Sequence, residues 1–234
     1  MNDGSLGKSP GLIERLIPGT FQFAPPLCYP SGRPMNLYKH IPTKNEISAM
    51  EPFAGLGIDQ IFVVGDSRQA DIAFSELMAA GSIGFDTESK PTFFKGQKSE
   101  GPHVFQFATL QKAFIFQAHI IESIPAVVEL LQAPKVEKIG FGLKGDLQQI
   151  GEKFGFRPSA IVDLDRSFRA LGYSHTLGAK SAIAMLFERK LTKSKSITTS
   201  NWAEYHLSDS QLIYAANDAY AAIRVHQALE SNKK

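Results

Sequence analysis

The apolar positions of the chain follow two periods, one typical of β-strands and one typical of α-helices. Short apolar runs predict strands at 61–64, 82–89, 104–108, 113–116, 136–141 and 160–162. Apolar residues at helical spacing predict helices at 45–50, 67–80, 123–132, 145–154, 164–171, 175–187 and 208–229. Ser67 is the predicted N-cap of the helix that Gly81 ends. Ser208 and Gln211 have the spacing of a capping box at the start of the last helix.

The order of these elements predicts a mixed sheet. The turn around Gln111 and Lys112 is too short for a crossover helix, so strands 104–108 and 113–116 should form an antiparallel hairpin. Strand 82–89 extends this hairpin to a three-stranded meander. Beyond it, strands and helices alternate, as they do around parallel strands. The predicted fold class is α/β, with an antiparallel meander, parallel strands after it, and flanking helices.

The first 44 residues differ from the rest of the chain because they are rich in proline. The prolines of this segment are Pro10, Pro18, Pro25, Pro26, Pro30, Pro34 and Pro42. Their spacing excludes a long helix and predicts an arm over 1–44, with the folded domain over 45–234. Two interpretations of the arm stay open, a disordered leader or a segment that packs on this domain or on a second copy. The oligomeric state is therefore open as well.

Composition narrows the class of protein. With 234 residues, of which 43% are hydrophobic and 21% charged, the chain can bury one substantial core. The net charge of +2 means that any surface that attracts nucleic acid must be local. The single cysteine, Cys28, excludes an internal disulfide and a four-cysteine zinc site. We expect a soluble cytoplasmic protein, because the sequence has neither a membrane-length apolar run nor a signal peptide.

Two acidic residues mark strand 82–89 as the candidate centre of function. The period of two places Asp86 and Glu88 on the same face of this strand, where their carboxylates repel each other. A divalent cation between them would offset that repulsion. The alternative is an exposed edge strand with two solvated acids.

Further candidates follow downstream. Asp146 lies at a predicted strand-to-helix junction. Tyr214 and Asp218 lie one turn apart on one face of the last predicted helix. The many alanines of that helix would let it lie close to the sheet and bring Asp218 toward Asp86. Taken singly, each residue also has a structural interpretation: a first-turn acid, a half-buried core tyrosine and a solvated helix charge.

In this order and spacing, the five residues resemble the three exonuclease motifs of the DEDD superfamily in its tyrosine form. The segment 85–93 resembles the first motif of the Werner-syndrome exonuclease and ribonuclease D group. Lys193, Asn201, Trp202 and the segment 207–216 resemble its third-motif region. The resemblance covers about 45–230 and implies a ribonuclease-H-like fold in a stand-alone exonuclease domain. The implied activity is hydrolysis of nucleic acid from the 3′ end to nucleoside monophosphates.

The resemblance also implies roles for the five residues. It makes Asp86, Glu88, Asp146 and Asp218 ligands of two divalent ions, and hard oxygen ligands suit Mg²⁺ or Mn²⁺. Tyr214 would orient the attacking water, since a phenol with an ordinary pKa of about 10 is a poor base at neutral pH. By the same resemblance, Glu88 helps to hold the 3′ terminus.

Basic and aromatic residues flank these motifs and are candidates to bind the substrate. Lys90, Lys95 and Lys98 fall in the loop after the acidic strand, and Arg189, Lys190, Lys193 and Lys195 precede the last helix. Phe93, Phe94 and Trp202 are candidates to stack on bases. The alternatives are solvated lysines and, for Trp202, core packing. No residue in the sequence indicates whether the substrate is the 3′ end of DNA or of RNA.

Two rival functions remain. Gly140, Gly142 and Gly145 match a dinucleotide-binding fingerprint, and Asp163 stands where a ribose-binding acid would follow, which would favour an NAD-dependent enzyme. Against it, a meander precedes the fingerprint and Asp146 would lie beside the pyrophosphate. The other rival is a catalytically inert nucleic-acid-binding module of the same fold. It is disfavoured because all five motif residues are present.

Overall fold

The computed structural model describes residues 40–92, 94 and 96–231. The prediction of an arm falls almost wholly on 1–39, outside the described residues. The described part begins with the short helix α1 (Lys44–Ala49), whose N-cap Thr43 forms a capping box with Glu46. Among the described helices, none combines the length and the apolar character needed to cross a membrane.

Within the described residues, six strands form one mixed sheet. The strands are β1 (Ile61–Val64), β2 (Ser82–Glu88), β3 (Val104–Ala108), β4 (Ala113–Gln117), β5 (Glu137–Gly140) and β6 (Ile161–Asp163). Their spatial order is β1-β4-β3-β2-β5-β6. The β2-β3 and β3-β4 pairs are antiparallel, whereas β1-β4, β2-β5 and β5-β6 are parallel. The predicted meander and the parallel strands after it are therefore confirmed.

Helices cover both faces of this sheet. They are α2 (Ser67–Ala80), α3 (Ile124–Gln132), α4 (Lys144–Phe154), α5 (Leu164–Ala170), α6 (Ala179–Phe187), α7 (Lys195–Thr198) and α8 (Asp209–Ser231). The apolar side chains of α2, α3 and α4 pack with the phenylalanines of β3 and β4 on one face. Those of α5, α6 and α8 pack on the other face, against Val104, Ala108 and Ile115.

The helices differ from the prediction at two N-terminal boundaries and agree with it at a third. The N-cap of α2 is Asp66, whose side chain accepts a hydrogen bond from the Gln69 amide, so the prediction of Ser67 was wrong by one residue. Helix α6 begins at Ala179 rather than at 175. The capping box of α8 is confirmed: the Ser208 amide donates to Gln211 Oε1 at 3.0 Å and the Gln211 amide donates to Ser208 Oγ at 3.3 Å.

The longest helix, α8, lies directly on the central strand β2. A Cβ atom built on Gly84 would be 1.8 Å from the backbone oxygen of Ala219, far inside van der Waals contact. Only glycine therefore permits this approach of strand and helix. The residue before Ala219 is Asp218, so this contact sets the position of an acid over the strand that carries two others.

Candidate active site

Four carboxylates from three elements converge at the carboxyl end of β2. Asp86 and Glu88 lie on its α8-facing side, Asp146 lies in the first turn of α4, and Asp218 lies on the buried side of α8. The charges of Glu88, Asp146 and Asp218 each act to raise the pKa of Asp86. The structure thus brings together the acids that the sequence singled out.

Burial makes this cluster electrostatically costly. Burial, and then the neighbouring carboxylates, raise the pKa of Asp86 well above its ordinary value. Burial and the charge of Asp218 raise the pKa of Glu88 to about 8. The pKa of Asp146 is also raised by burial, although a hydrogen bond from the Thr87 hydroxyl opposes the rise. Such a cluster is stable only with protons or cations to offset its charge.

One cation of the chain itself lies inside the cluster. Lys193 Nζ forms an ion pair with Asp218 Oδ1 at 2.8 Å, and the Lys193 side chain is only 24% exposed. Burial alone would lower the pKa of Lys193, but Asp218 raises it, so the ammonium stays charged. Burial raises the pKa of Asp218, although Lys193 opposes this. The sequence predicted Lys193 as a nucleic-acid contact, and the structure places it among the acids.

Tyr214 lies one turn before Asp218, with its hydroxyl oxygen accepting a hydrogen bond from Thr198 Oγ1 at 3.0 Å. Burial and the nearby Asp218 raise its pKa to about 12. The phenol is therefore protonated at neutral pH and is available to orient a water molecule rather than to remove a proton.

Of the two interpretations of Trp202, base stacking and core packing, the structure supports core packing. Its side chain is completely buried, its indole N–H points to the backbone oxygen of Thr198 at 3.4 Å, and its ring lies 5.8 Å from that of Tyr214. A buried indole has no face free for a base, so Trp202 instead supports Tyr214 and the segment before α8.

The other residues that were predicted to contact the substrate differ in their exposure and in their contacts. Phe93 and Lys95 lie outside the described residues, whereas Lys90 is exposed and Phe94 is 79% exposed. The exposed Lys98 is 3.9 Å from Glu152, a contact that solvent weakens. Before α8, Arg189 and Lys195 are exposed and Lys190 Nζ donates to the backbone oxygen of Ser48 at 3.3 Å.

The glycine-rich segment before Asp146 is not arranged as a dinucleotide site. The Gly142 amide, which a pyrophosphate would need, donates to Asp163 Oδ1 at 3.0 Å, and Asp163 also accepts from the Asp165 amide at 3.1 Å. Asp163 thus ties the β5–α4 turn to α5, and the first-turn position of α4 is taken by Asp146.

Two further residues at the site were missed by the sequence analysis. Asn217 binds both backbone groups of Leu56, since its Oδ1 accepts from the Leu56 amide at 2.7 Å and its Nδ2 donates to the Leu56 oxygen at 3.2 Å. Asn217 and Leu56 thus form part of one wall of an open cleft of about 710 Å³, which Tyr214 and Asp218 also line.

The second missed residue is Gln106, which pairs with Asp86 across the β2-β3 ladder. The sequence feature that could have identified Gln106 is its polar side chain in the middle of an otherwise apolar strand.

The donor set suits divalent metal ions, although the carboxylates are not yet arranged around one. The four carboxylates, of which that of Asp218 is buried and the other three are half-buried, offer the hard oxygen ligands that Mg²⁺ and Mn²⁺ prefer. Among the described residues, however, no three acidic, histidine or cysteine side chains form a metal-binding group as they stand. Two of the carboxylates already have contacts within the chain, since the Thr87 hydroxyl donates to Asp146 and Lys193 pairs with Asp218.

The sequence is similar to those of known 3′-5′ exonucleases. The family model described as 3′-5′ exonuclease matches residues 61–233. The bifunctional 3′-5′ exonuclease/ATP-dependent helicase WRN of Mus musculus is 28% identical over 149 residues, which are 63% of this chain and 11% of WRN. A 3′-5′ exonuclease of Arabidopsis thaliana is 30% identical over 151 residues, 63% of this chain and 52% of the relative. This chain thus spans about half or less of these relatives.

The fold has close structural counterparts. The ribonuclease D of Trypanosoma brucei, solved in complex with RNA U12, superposes with a TM-score of 0.66 at 21% sequence identity. The superposition covers 74% of this chain and 63% of that one. At this identity the likeness is one of fold, and it confirms the ribonuclease-H-like prediction.

Proposed function

This chain belongs to the 3′-5′ exonuclease family, and from that premise we propose that it hydrolyses nucleic acid from the 3′ end to nucleoside monophosphates. The observation that carries the proposal is the convergence of Asp86, Glu88, Asp146 and Asp218 beside Tyr214. Phosphodiester hydrolysis adds negative charge to a phosphate that is already anionic, so the reaction needs concentrated positive charge. A cluster of four carboxylates is suited to concentrating it by binding cations.

The four carboxylates are the residues that would hold divalent metal ions, on which this family in general depends. Two Mg²⁺ or Mn²⁺ ions would activate a water molecule and stabilise the leaving oxygen. A metal ion at Asp218 Oδ1 would compete with Lys193, whose ammonium lies 2.8 Å from that oxygen. The displaced ammonium then remains beside the cluster as a positive charge for a substrate phosphate.

The remaining side chains position the reactants. The protonated hydroxyl of Tyr214 donates a hydrogen bond to the attacking water, and Glu88 helps to hold the 3′-terminal nucleotide. The cleft beside Tyr214 and Asp218 has a volume of about 710 Å³ and carries the serines and apolar side chains that suit a nucleoside. Lys90 and Lys98 flank the phosphates of the incoming strand. The cytoplasmic location remains a prediction from the sequence.

The test is a cleavage assay on 3′-tailed DNA and on RNA of matched sequence, with Mn²⁺ or with EDTA. We expect a metal-dependent ladder of single-nucleotide steps from the 3′ end, and the faster substrate identifies the preferred nucleic acid. Asp86→Asn and Asp218→Asn should abolish the ladder, whereas Asp71→Asn, an exposed acid on α2, should leave it unchanged. Binding of either substrate without metal-dependent cleavage would identify an inert binding module instead.

A further inference from the structure

Gln106 is a buried amide in an unusual position. It stands in the middle of β3, its side chain is completely buried, and among the described residues neither Oε1 nor Nε2 has a hydrogen-bond partner. A buried amide without partners is destabilising, so native structures seldom keep one without a reason.

The strand register places this amide against the candidate active site. Gln106 pairs directly with Asp86 across the antiparallel β2-β3 ladder. Side chains at paired positions of adjacent strands lie on the same face, with Cβ atoms about 4.5–5.5 Å apart. Asp86 is therefore within reach of the Gln106 side chain.

The other surroundings of Gln106 offer it nothing polar on the sheet. Val104 and Ala108, two residues away on β3, share its face, and Ile115 pairs with it on the other side. Gln117, a second buried glutamine on this face, does have a partner, since its Nε2 donates to the backbone oxygen of Glu204 at 2.9 Å. The unpartnered amide is thus specific to the position beside Asp86.

We propose that Gln106 is a positioning residue for Asp86, whose carboxylate receives a hydrogen bond from Gln106 Nε2 when Asp86 binds a divalent ion. The proposal rests on the proposed function, because it assigns Asp86 to metal binding. An amide suits both states of the acid: its nitrogen donates to a carboxylate and its oxygen accepts from a protonated carboxyl group. Partners of this kind orient metal ligands, and their loss commonly weakens metal binding by about 10–100-fold.

The test replaces Gln106 by methionine, which has a similar length and no hydrogen-bonding amide, and measures two properties of the full chain. The first is the thermal midpoint in EDTA, and the second is Mn²⁺ affinity by electron paramagnetic resonance. We expect Gln106→Met to keep or raise the midpoint, because it removes two unpartnered polar atoms, and to weaken Mn²⁺ binding by about 10-fold or more. The matched control Gln117→Met should lower the midpoint, because it breaks a hydrogen bond, and leave Mn²⁺ affinity unchanged.

A second variant keeps the proposal testable if Gln106→Met does not fold. Gln106→Asn retains an amide but retracts it by one methylene from Asp86, so it should also weaken Mn²⁺ binding. Wild-type Mn²⁺ affinity in the folded Gln106 variants would overturn the proposal, whatever their stability. Failure of the wild-type protein to bind Mn²⁺ would overturn the proposed function, and this proposal with it. The wild-type measurement therefore separates the two failures.

Discussion

Replacing Gly84 by alanine should separate the acids of the site without removing any of them. The added Cβ would lie 1.8 Å from the Ala219 oxygen and 2.7 Å from its carbonyl carbon. Both are backbone atoms of α8, which no rotamer change can move. Since ordinary contact begins at 3.4 Å, β2 and α8 must separate by about 1.6 Å, a shift that follows from the steric limit on such contacts.

Gly84→Ala should affect stability modestly and the exonuclease rate strongly. Overpacking of a well-packed core costs about 1–3 kcal/mol in the free energy of unfolding. Asp218 precedes Ala219 and moves with it, away from Asp86 and Glu88. A displacement of about 1 Å in a catalytic group can lower the rate by about 100-fold. We therefore expect a folded protein with a modest loss of stability and a loss of about 100-fold or more in exonuclease rate.

The assay combines urea denaturation with the rate of nucleotide release from a 5′-labelled oligonucleotide. Gly151→Ala in α4 is the matched control, because its new Cβ would lie at an ordinary 3.5 Å from the Phe156 oxygen. That control should unfold at the same or a higher urea concentration, since alanine favours helix by up to about 1 kcal/mol over glycine, and should keep full activity. Near wild-type activity in Gly84→Ala would refute the idea that this contact positions Asp218.

Two further predictions concern lysines. Lys193→Met should lower the thermal midpoint in EDTA, because it leaves Asp218 buried without its ion-pair partner. The same substitution should enlarge the rise in thermal midpoint on adding Mn²⁺. Equal midpoints of the wild type and Lys193→Met in EDTA would contradict this reasoning. Burial lowers the pKa of the fully buried Lys138 from 10.5 to about 8. The unfolded chain then binds more protons between pH 8 and 10.5, so the free energy of unfolding of the wild type should rise by about 2 kcal/mol over this range relative to Lys138→Met. Parallel urea titrations of both proteins would contradict this reasoning if the two curves shifted equally with pH.

Local pattern was sufficient to predict the sheet, whereas the acids were singled out by their combined order and spacing and by the resemblance to the DEDD superfamily. The short turn at Gln111 and Lys112 requires a hairpin, and alternation along β2 puts Asp86 and Glu88 on one face. Alanines in α8 predicted a helix close to the sheet. The particular contact could not be predicted, because the meeting of Gly84 with Ala219 depends on how residues far apart in sequence pack.

Side-chain environment was harder to predict than element order. Trp202 and Lys193 stand in the same polar segment before α8, and both were predicted to bind nucleic acid. The fold buries Trp202 beneath Tyr214 and turns Lys193 onto Asp218. Neither outcome has a local signature, since each depends on the position of α8 over the sheet.

The arrangement of these residues suggests how the fold tolerates four clustered carboxylates without a bound metal ion. The electrostatic repulsion at three of the acids is offset in different ways. Thr87 donates a hydrogen bond from its hydroxyl to Asp146, and Lys193 forms an ion pair with Asp218. Glu88 has a pKa of about 8 and so holds a proton at neutral pH. Asp86 accepts a hydrogen bond from the Thr87 amide at 2.9 Å, and burial and the charges of the three other carboxylates raise its pKa. The unpartnered amide of Gln106 faces this acid. A divalent ion bound by Asp86 would offset this repulsion, and the bound carboxylate would accept a hydrogen bond from Gln106, so this pair of residues should influence how tightly the site holds its ions.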